Sequence, residues 1–208
     1  MALFKIQITP TYCLGIWKIE ENLDYFFENY FLTDLEAEQF SLLNHEKKQI
    51  ERMAGRLLIK NLLKMKNLNF EGVLNHETGK PYLINSPYEV SISHSNEFVA
   101  VIISLTNEAV GIDLQQFDEK INIVAPRLFS EDEMKDCADS LLKKSIYWSA
   151  KEALYKIHQL RKLDFKKDLR INSFPLQEKG RFNAFLQKKS FAFYYELWDN
   201  YVLVYNCP

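Results

Sequence analysis

Residues 90–114 read VSISHSNEFVAVIISLTNEAVGIDL, and three β-rich runs can be cut from them: Val90 to His94, Phe98 to Ser104 and Ala109 to Leu114. Ser95-Asn96-Glu97 and Thr106-Asn107-Glu108 interrupt the runs, so the stretch predicts consecutive hairpins of an antiparallel sheet. Upstream, residues 33–66 predict a helical region. Thr33 is a cap with Glu36 three residues on, and Leu42, Leu43, Ile50, Met53, Leu57 and Leu58 fall at helical spacing. Downstream, Ser130 with Glu133 opens another helix, and Ser145 to Leu160 holds strong helix formers with no Gly or Pro. From Phe191 to Asn206 the chain returns to aromatic and β-branched residues around a turn at Asp199-Asn200.

The two halves match each other at a nearly constant offset of 96 or 97 residues. Gly15-Ile16 aligns with Gly111-Ile112, Thr33 and Glu36 with Ser130 and Glu133, and Ala54, Leu58 and Lys60 with Ala150, Leu154 and Lys156. Such order predicts an α+β (α/β) fold built by duplication. Two similar halves, residues 1–107 and 108–208, would each carry helices on an antiparallel sheet, be related by a pseudo-twofold and hold a ligand in the cleft between them. The halves differ where charge could act: Trp17 stands opposite Asp113, and Arg56 opposite Glu152. Only the second half can therefore offer two carboxylates to a hard metal ion.

A chain of 208 residues with 47% hydrophobic side chains can bury an ordinary core. Its 26 basic and 28 acidic residues nearly cancel, which argues against nucleic-acid binding by counterion release. Cys13, Cys137 and Cys207 are scattered and odd in number, so they suggest neither a disulfide framework nor a zinc site. With no run long enough to span a bilayer and no signal-peptide pattern, a cytoplasmic protein without membrane attachment is expected.

In Val110 to Gln115, alternation sends Gly111, Asp113 and Gln115 to one face of a strand. An aspartate ending an apolar strand beside a glycine suits an oxygen ligand for Mg²⁺, or a cap on a backbone group. On a helix, Trp148, Glu152 and Lys156 share a face with Lys151 and Tyr155 flanking it. Glu152 can be a second carboxylate and Lys156 a cation for a phosphate, or the two an exposed ion pair. Thr78-Gly79-Lys80-Pro81-Tyr82 and Ser91-Ile92-Ser93-His94-Ser95 have anion-binding character. No hydrolase triad, Walker A loop or dinucleotide loop is present.

Taken in order along the chain, Gly79-Lys80-Pro81, Ser91 to Ser95, Val110 to Asp113, Arg127 to Ser130 with Glu133, and Trp148 to Glu152 with Lys156 resemble the phosphopantetheinyl transferases of the surfactin-synthetase-activating (Sfp-like) type. That resemblance implies transfer of the 4'-phosphopantetheine group of coenzyme A, with Mg²⁺, onto a serine of an apo acyl- or peptidyl-carrier protein, with release of 3',5'-ADP. It implies Asp113, Glu152 and the Gln115 position as metal ligands. Lys48, Arg56, Lys80, Pro81, Ser93, His94, Lys151 and Lys156 would surround the coenzyme, with His94 near the 3'-phosphate and Lys156 on the pyrophosphate. Asp113, Glu152 and Lys156 would form the catalytic group, with Glu152 as general base.

Gln115 stands where the bacterial pattern has an acidic residue, and residues 158–165 replace its glycine-rich stretch. Two other readings are a non-catalytic relative that binds coenzyme A or a carrier, and a metal-dependent nucleotide phosphohydrolase. A carrier with an acidic helix would dock on apolar and cationic residues, with Arg127, Lys143, Lys144 and Arg161 as candidates. A monomer is expected, since both halves lie in one chain.

Overall fold

The computed structural model describes residues 3–158 and 163–208. The chain forms two compact units, Met1–Ala109 with Pro208, and Val110–Cys207. Among the described residues no helix is long and apolar enough to cross a membrane.

In the first unit, strands β1 (Leu3–Ile8), β2 (Tyr12–Lys18), β5 (Val90–Ser95) and β6 (Phe98–Ser104) form an antiparallel sheet in the order β1-β2-β6-β5. β3 (Val73–Asn75) and β4 (Pro81–Leu83) make a small separate ribbon. Helices α1 (Leu23–Asn29), α2 (Asp34–Ser41) and α3 (Glu46–Met65) complete the unit, and α3 packs on β2 and β6. The core gathers Trp17, Phe26, Met53, Leu58 and Leu62 with the inward residues of β6.

The second unit orders its sheet β7-β11-β10-β9-β8, from β7 (Ile112–Gln116), β8 (Leu169–Ile171), β9 (Lys179–Leu186), β10 (Lys189–Trp198) and β11 (Tyr201–Asn206). α4 (Ile121–Leu128), α5 (Glu131–Cys137) and α6 (Leu141–Ile157) accompany it, and α6 lies on β7 and β11.

The two units share part of their topology. The order β2-β6-β5 is repeated as β7-β11-β10, and the hairpin β5–β6 as β10–β11. Both hairpins turn through two residues, the first left-handed: Asn96 at φ 52° and Asp199 at φ 47°. Thr33 and Ser130 each form a complete capping box, with Glu36 and Glu133. These glutamates are buried, and each also accepts a strand amide, Val73 N–H in one unit and Ile171 N–H in the other.

Two sequence expectations are corrected. The third run of residues 90–114 is not a hairpin partner of the second, because β7 opens the second unit and pairs with β11. The helical region 33–66 is broken at Leu42–His45, and Leu42, assigned to an apolar face, is 75% exposed. The helix expected over 145–160 is α6 up to Ile157, and residues 159 and 160 lie outside the described ones.

Gly55 lies inside α3, where a Cβ would meet Ile92 at 3.5 Å, an ordinary contact. Gly55→Ala is therefore expected to stabilise by about 0.5–1 kcal/mol through helix propensity alone. Thermal unfolding should show the midpoint raised by about 1–3 °C, and a lowered midpoint would refute the fit.

Candidate active site

The second unit assembles the carboxylates. β7 carries Asp113, nearly buried, in register with Val204 of β11. One helical turn separates Glu152 from Lys156 on α6, and the Lys156 ammonium donates to Asp113 Oδ1 at 2.9 Å and to the Ile112 carbonyl at 2.8 Å. The Gln115 amide donates to Asp113 Oδ2 at 2.9 Å. Glu152 is half-buried, and burial first, then the Asp113 charge, push its carboxyl up to about 7 against the pull of Lys156. When both are ionised, two carboxylates thus repel each other with a single ammonium to offset them, an arrangement that a further cation would relieve.

The close approach of β7 and α6 depends on Gly111. A Cβ there would lie 2.0 Å from the Ala153 carbonyl oxygen. Asn206, at the end of β11, fixes the same glycine: its side-chain oxygen accepts the Gly111 N–H at 2.6 Å, and its own N–H reaches the Gly111 carbonyl at 3.2 Å.

In the first unit, Trp17 occupies the position of Asp113. It is fully buried in the core and donates its indole N–H to Glu21. Lys60, the counterpart of Lys156, binds the Asn29 carbonyl and lies over the Tyr30 ring. The first half therefore lacks the carboxylate cluster that its duplicate carries.

What the first unit holds is a cationic cavity of about 220 Å³, with Lys48, Arg56, Pro81 and His94 on its wall. Arg52 and Asn75 also line it, although neither was singled out from the sequence. Arg52 is one turn from both Lys48 and Arg56, so the helical period already held the signal. Burial lowers the pKa of Arg52, and burial followed by the Arg52 charge lowers that of Arg56, so an anion in the cavity would relieve both. Glu51 offsets part of this charge through Lys48 at 2.7 Å and His94 at 3.5 Å. Gly79 closes the turn at φ 88°, a left-handed conformation in which a side chain would be strained.

Three expected coenzyme contacts are placed elsewhere. Lys80 turns its ammonium to Glu89 at 2.7 Å rather than into the cavity wall. Ser93 is buried and falls on the opposite face of β5 from Ile92 and His94, which line the cavity. Lys151 is fully buried and gives its ammonium to Glu133 at 2.9 Å and to the carbonyls of Phe165 and Leu169 at 2.7 and 2.6 Å. With all three protons bound, it has none to offer a ligand.

The candidate docking cations are also partly committed. Lys143 pairs with Asp136 at 2.8 Å, and Lys144, 7% exposed, donates to Asn122 at 2.8 Å. Arg161 lies outside the described residues.

Comparison with known proteins finds one kind of relative. Over 150 residues, 67% of this chain and 62% of the relative, the sequence is 29% identical to the 4'-phosphopantetheinyl transferase gsp of Aneurinibacillus migulanus. Over 76 residues, 34% of this chain and 32% of the relative, it is 36% identical to a Haemophilus influenzae protein provisionally named a 4'-phosphopantetheinyl transferase. The matches therefore span about a third and about three fifths of the lengths of these relatives. Residues 109–206, which include Asp113, Gln115, Glu152 and Lys156, match the 4'-phosphopantetheinyl transferase superfamily. That match covers just under half of the chain and falls almost entirely within the second unit, which is similar to the superfamily.

Proposed function

We propose that the protein transfers the 4'-phosphopantetheine group of coenzyme A to a serine hydroxyl of an apo acyl- or peptidyl-carrier protein. The observation that carries this reading is the cluster of Asp113, Glu152 and Lys156. A half-buried carboxyl raised to about 7 stands beside a second carboxylate and an ammonium. That group can take a proton near neutral pH while a cation steadies phosphate charge.

In the proposed reaction the carrier serine oxygen bonds to the β-phosphorus of coenzyme A. The bond from that phosphorus to the bridging oxygen breaks, and 3',5'-ADP leaves. Glu152 accepts the serine proton, and Lys156 balances charge on the pyrophosphate. Within the first unit taken by itself, Lys48, Arg52, Arg56 and His94 line a cationic cavity that suits a phosphate group.

The donor set also fits Mg²⁺. Asp113 and Glu152 are hard oxygen donors whose mutual repulsion a divalent cation would remove, and the Gln115 amide can turn its oxygen to the same position. When bound, Mg²⁺ would neutralise the pyrophosphate and orient it.

A second reading, a relative that binds coenzyme A without catalysis, is favoured by Gln115 alone. There a neutral amide occupies Asp113 Oδ2 where a further carboxylate would strengthen metal binding. Intact mass spectrometry of apo carrier proteins, after incubation with coenzyme A and Mg²⁺, separates the readings. A gain of one phosphopantetheine is expected. Coenzyme A binding without any gain across acyl and peptidyl carriers would leave the second reading, and release of free phosphate or pantetheine phosphate would indicate a phosphohydrolase.

A further inference from the structure

Lys151 sits one residue before Glu152, yet it faces the interior. Glu133, its partner, also accepts the Ser130 and Ile171 amides, so one buried node joins the start of α5, the middle of α6 and strand β8. Through Phe165 O and Leu169 O the same ammonium holds the segment 163–169. The Phe165 ring in turn packs on Trp148 at 5.9 Å and Tyr155 at 5.6 Å, the α6 side chains one turn before and one turn after Glu152.

The first unit repeats the node. Glu36 accepts the Thr33 and Val73 amides together with the Arg56 guanidinium, and Arg56 also donates to the Val73 carbonyl at 2.8 Å. The helix cation has moved by one position, since Arg56 aligns with Glu152 while Lys151 aligns with Gly55. This one-residue slide keeps the buried pair in both units and, in the second, frees the next position on α6 for a carboxylate. A cation retained beside the same glutamate where no carboxylate cluster exists has a role in building the fold.

We propose that Lys151 is a positioning residue that docks segment 163–169 onto α6 and, through Phe165, fixes the helix faces that aim Glu152. It does not contact the coenzyme. The kinetic consequence rests on the transferase reading, whereas the docking of the segment does not.

The experiment uses the full chain in three forms: Lys151→Met, the paired neutralisation Lys151→Met with Glu133→Gln, and Phe165→Ala. The paired form avoids leaving a buried glutamate without its cation, and Phe165→Ala leaves the node intact. Hydrogen exchange should show faster exchange at residues 163–171 in the Lys151 variants. In all three, kcat for carrier modification should fall by about 10- to 100-fold while KM for coenzyme A stays within about twofold. Calorimetric coenzyme A affinity should likewise be retained.

Unchanged exchange at 163–171, or coenzyme A affinity lost by more than about tenfold in the paired variant but not in Phe165→Ala, would overturn the proposal. If the unaltered protein neither binds coenzyme A nor modifies a carrier, the transferase reading fails, and the exchange pattern alone decides the role of Lys151.

Discussion

Replacing Glu152 by glutamine is expected to slow carrier modification severely while making the metal-free protein more stable. The carboxyl titrates from 4.5 in the unfolded chain up to about 7 in the folded one, because folding buries it and brings it to Asp113. An acid whose folded pKa is raised costs stability when charged. That cost is fully present above pH 7 and disappears as the pH falls below about 4.5. Glutamine keeps the shape and removes the charge, so it should stabilise by about 1–3 kcal/mol at pH 8 and have little effect near pH 4.5. Loss of the proton acceptor should lower kcat by about 10²–10⁴-fold.

Denaturant unfolding with a chelator at pH 8 and at pH 4.5, for both proteins, measures the first part. Added Mg²⁺ should stabilise the unaltered protein and leave the variant behind, since an ion that binds only the folded site stabilises by mass action. A variant destabilised at both pH values would show that Glu152 is held by favourable contacts and is not the strained partner of Asp113.

Much of this arrangement was legible in the sequence because its signals are local or periodic. The capping boxes at Thr33 and Ser130, the two-residue hairpin turns and the glycines opening β7 and matching β2 each depend on a few adjacent residues. The caps and the glycines repeat at an offset of 96 or 97, which makes the duplication legible. Asp113, Glu152 and Lys156 follow from a strand period and a helix period that meet at a glycine.

The missed features involve distant partners. Nothing within Trp148–Lys156 says that Lys151 is buried, because its acceptors lie on α5 and on residues 165 and 169. The alternation of β5 could have excluded Ser93 from the cavity, but placing Lys80 required knowing that Glu89 is its partner. The break at Leu42–His45 has neither Gly nor Pro to mark it, and His45 caps α3 without a side-chain hydrogen bond; the Gln49 amide, from α3, donates to the Leu43 carbonyl across it.

Gly111→Ala is expected to damage both fold and site, and Gly15→Ala, at the duplicated position, much less. At Gly15 a new Cβ would meet Leu58 Cδ1 at 2.8 Å and Leu62 methyls at 3.3 Å, the ends of side chains that can rotate away. At Gly111 it would meet a backbone carbonyl, that of Ala153, at 2.0 Å, with Ile157 Cγ1 at 2.9 Å. A helix carbonyl cannot rotate away, so α6 must move off β7 as a body. Overpacking of the side-chain kind costs about 1–2 kcal/mol, and displacement of a packed helix about 3 kcal/mol or more. The two clashes also differ in consequence. Ala153 follows Glu152 directly and Gly111 lies two residues before Asp113, so the same displacement opens the Asp113–Lys156 contact of 2.9 Å and separates the carboxylates. At a temperature where both variants remain folded, Gly111→Ala should lose about 10²-fold in kcat and its Mg²⁺-dependent stabilisation, whereas Gly15→Ala should retain both. Equal losses in the two variants would mean that the spacing of β7 and α6 does not set the geometry of the carboxylate cluster.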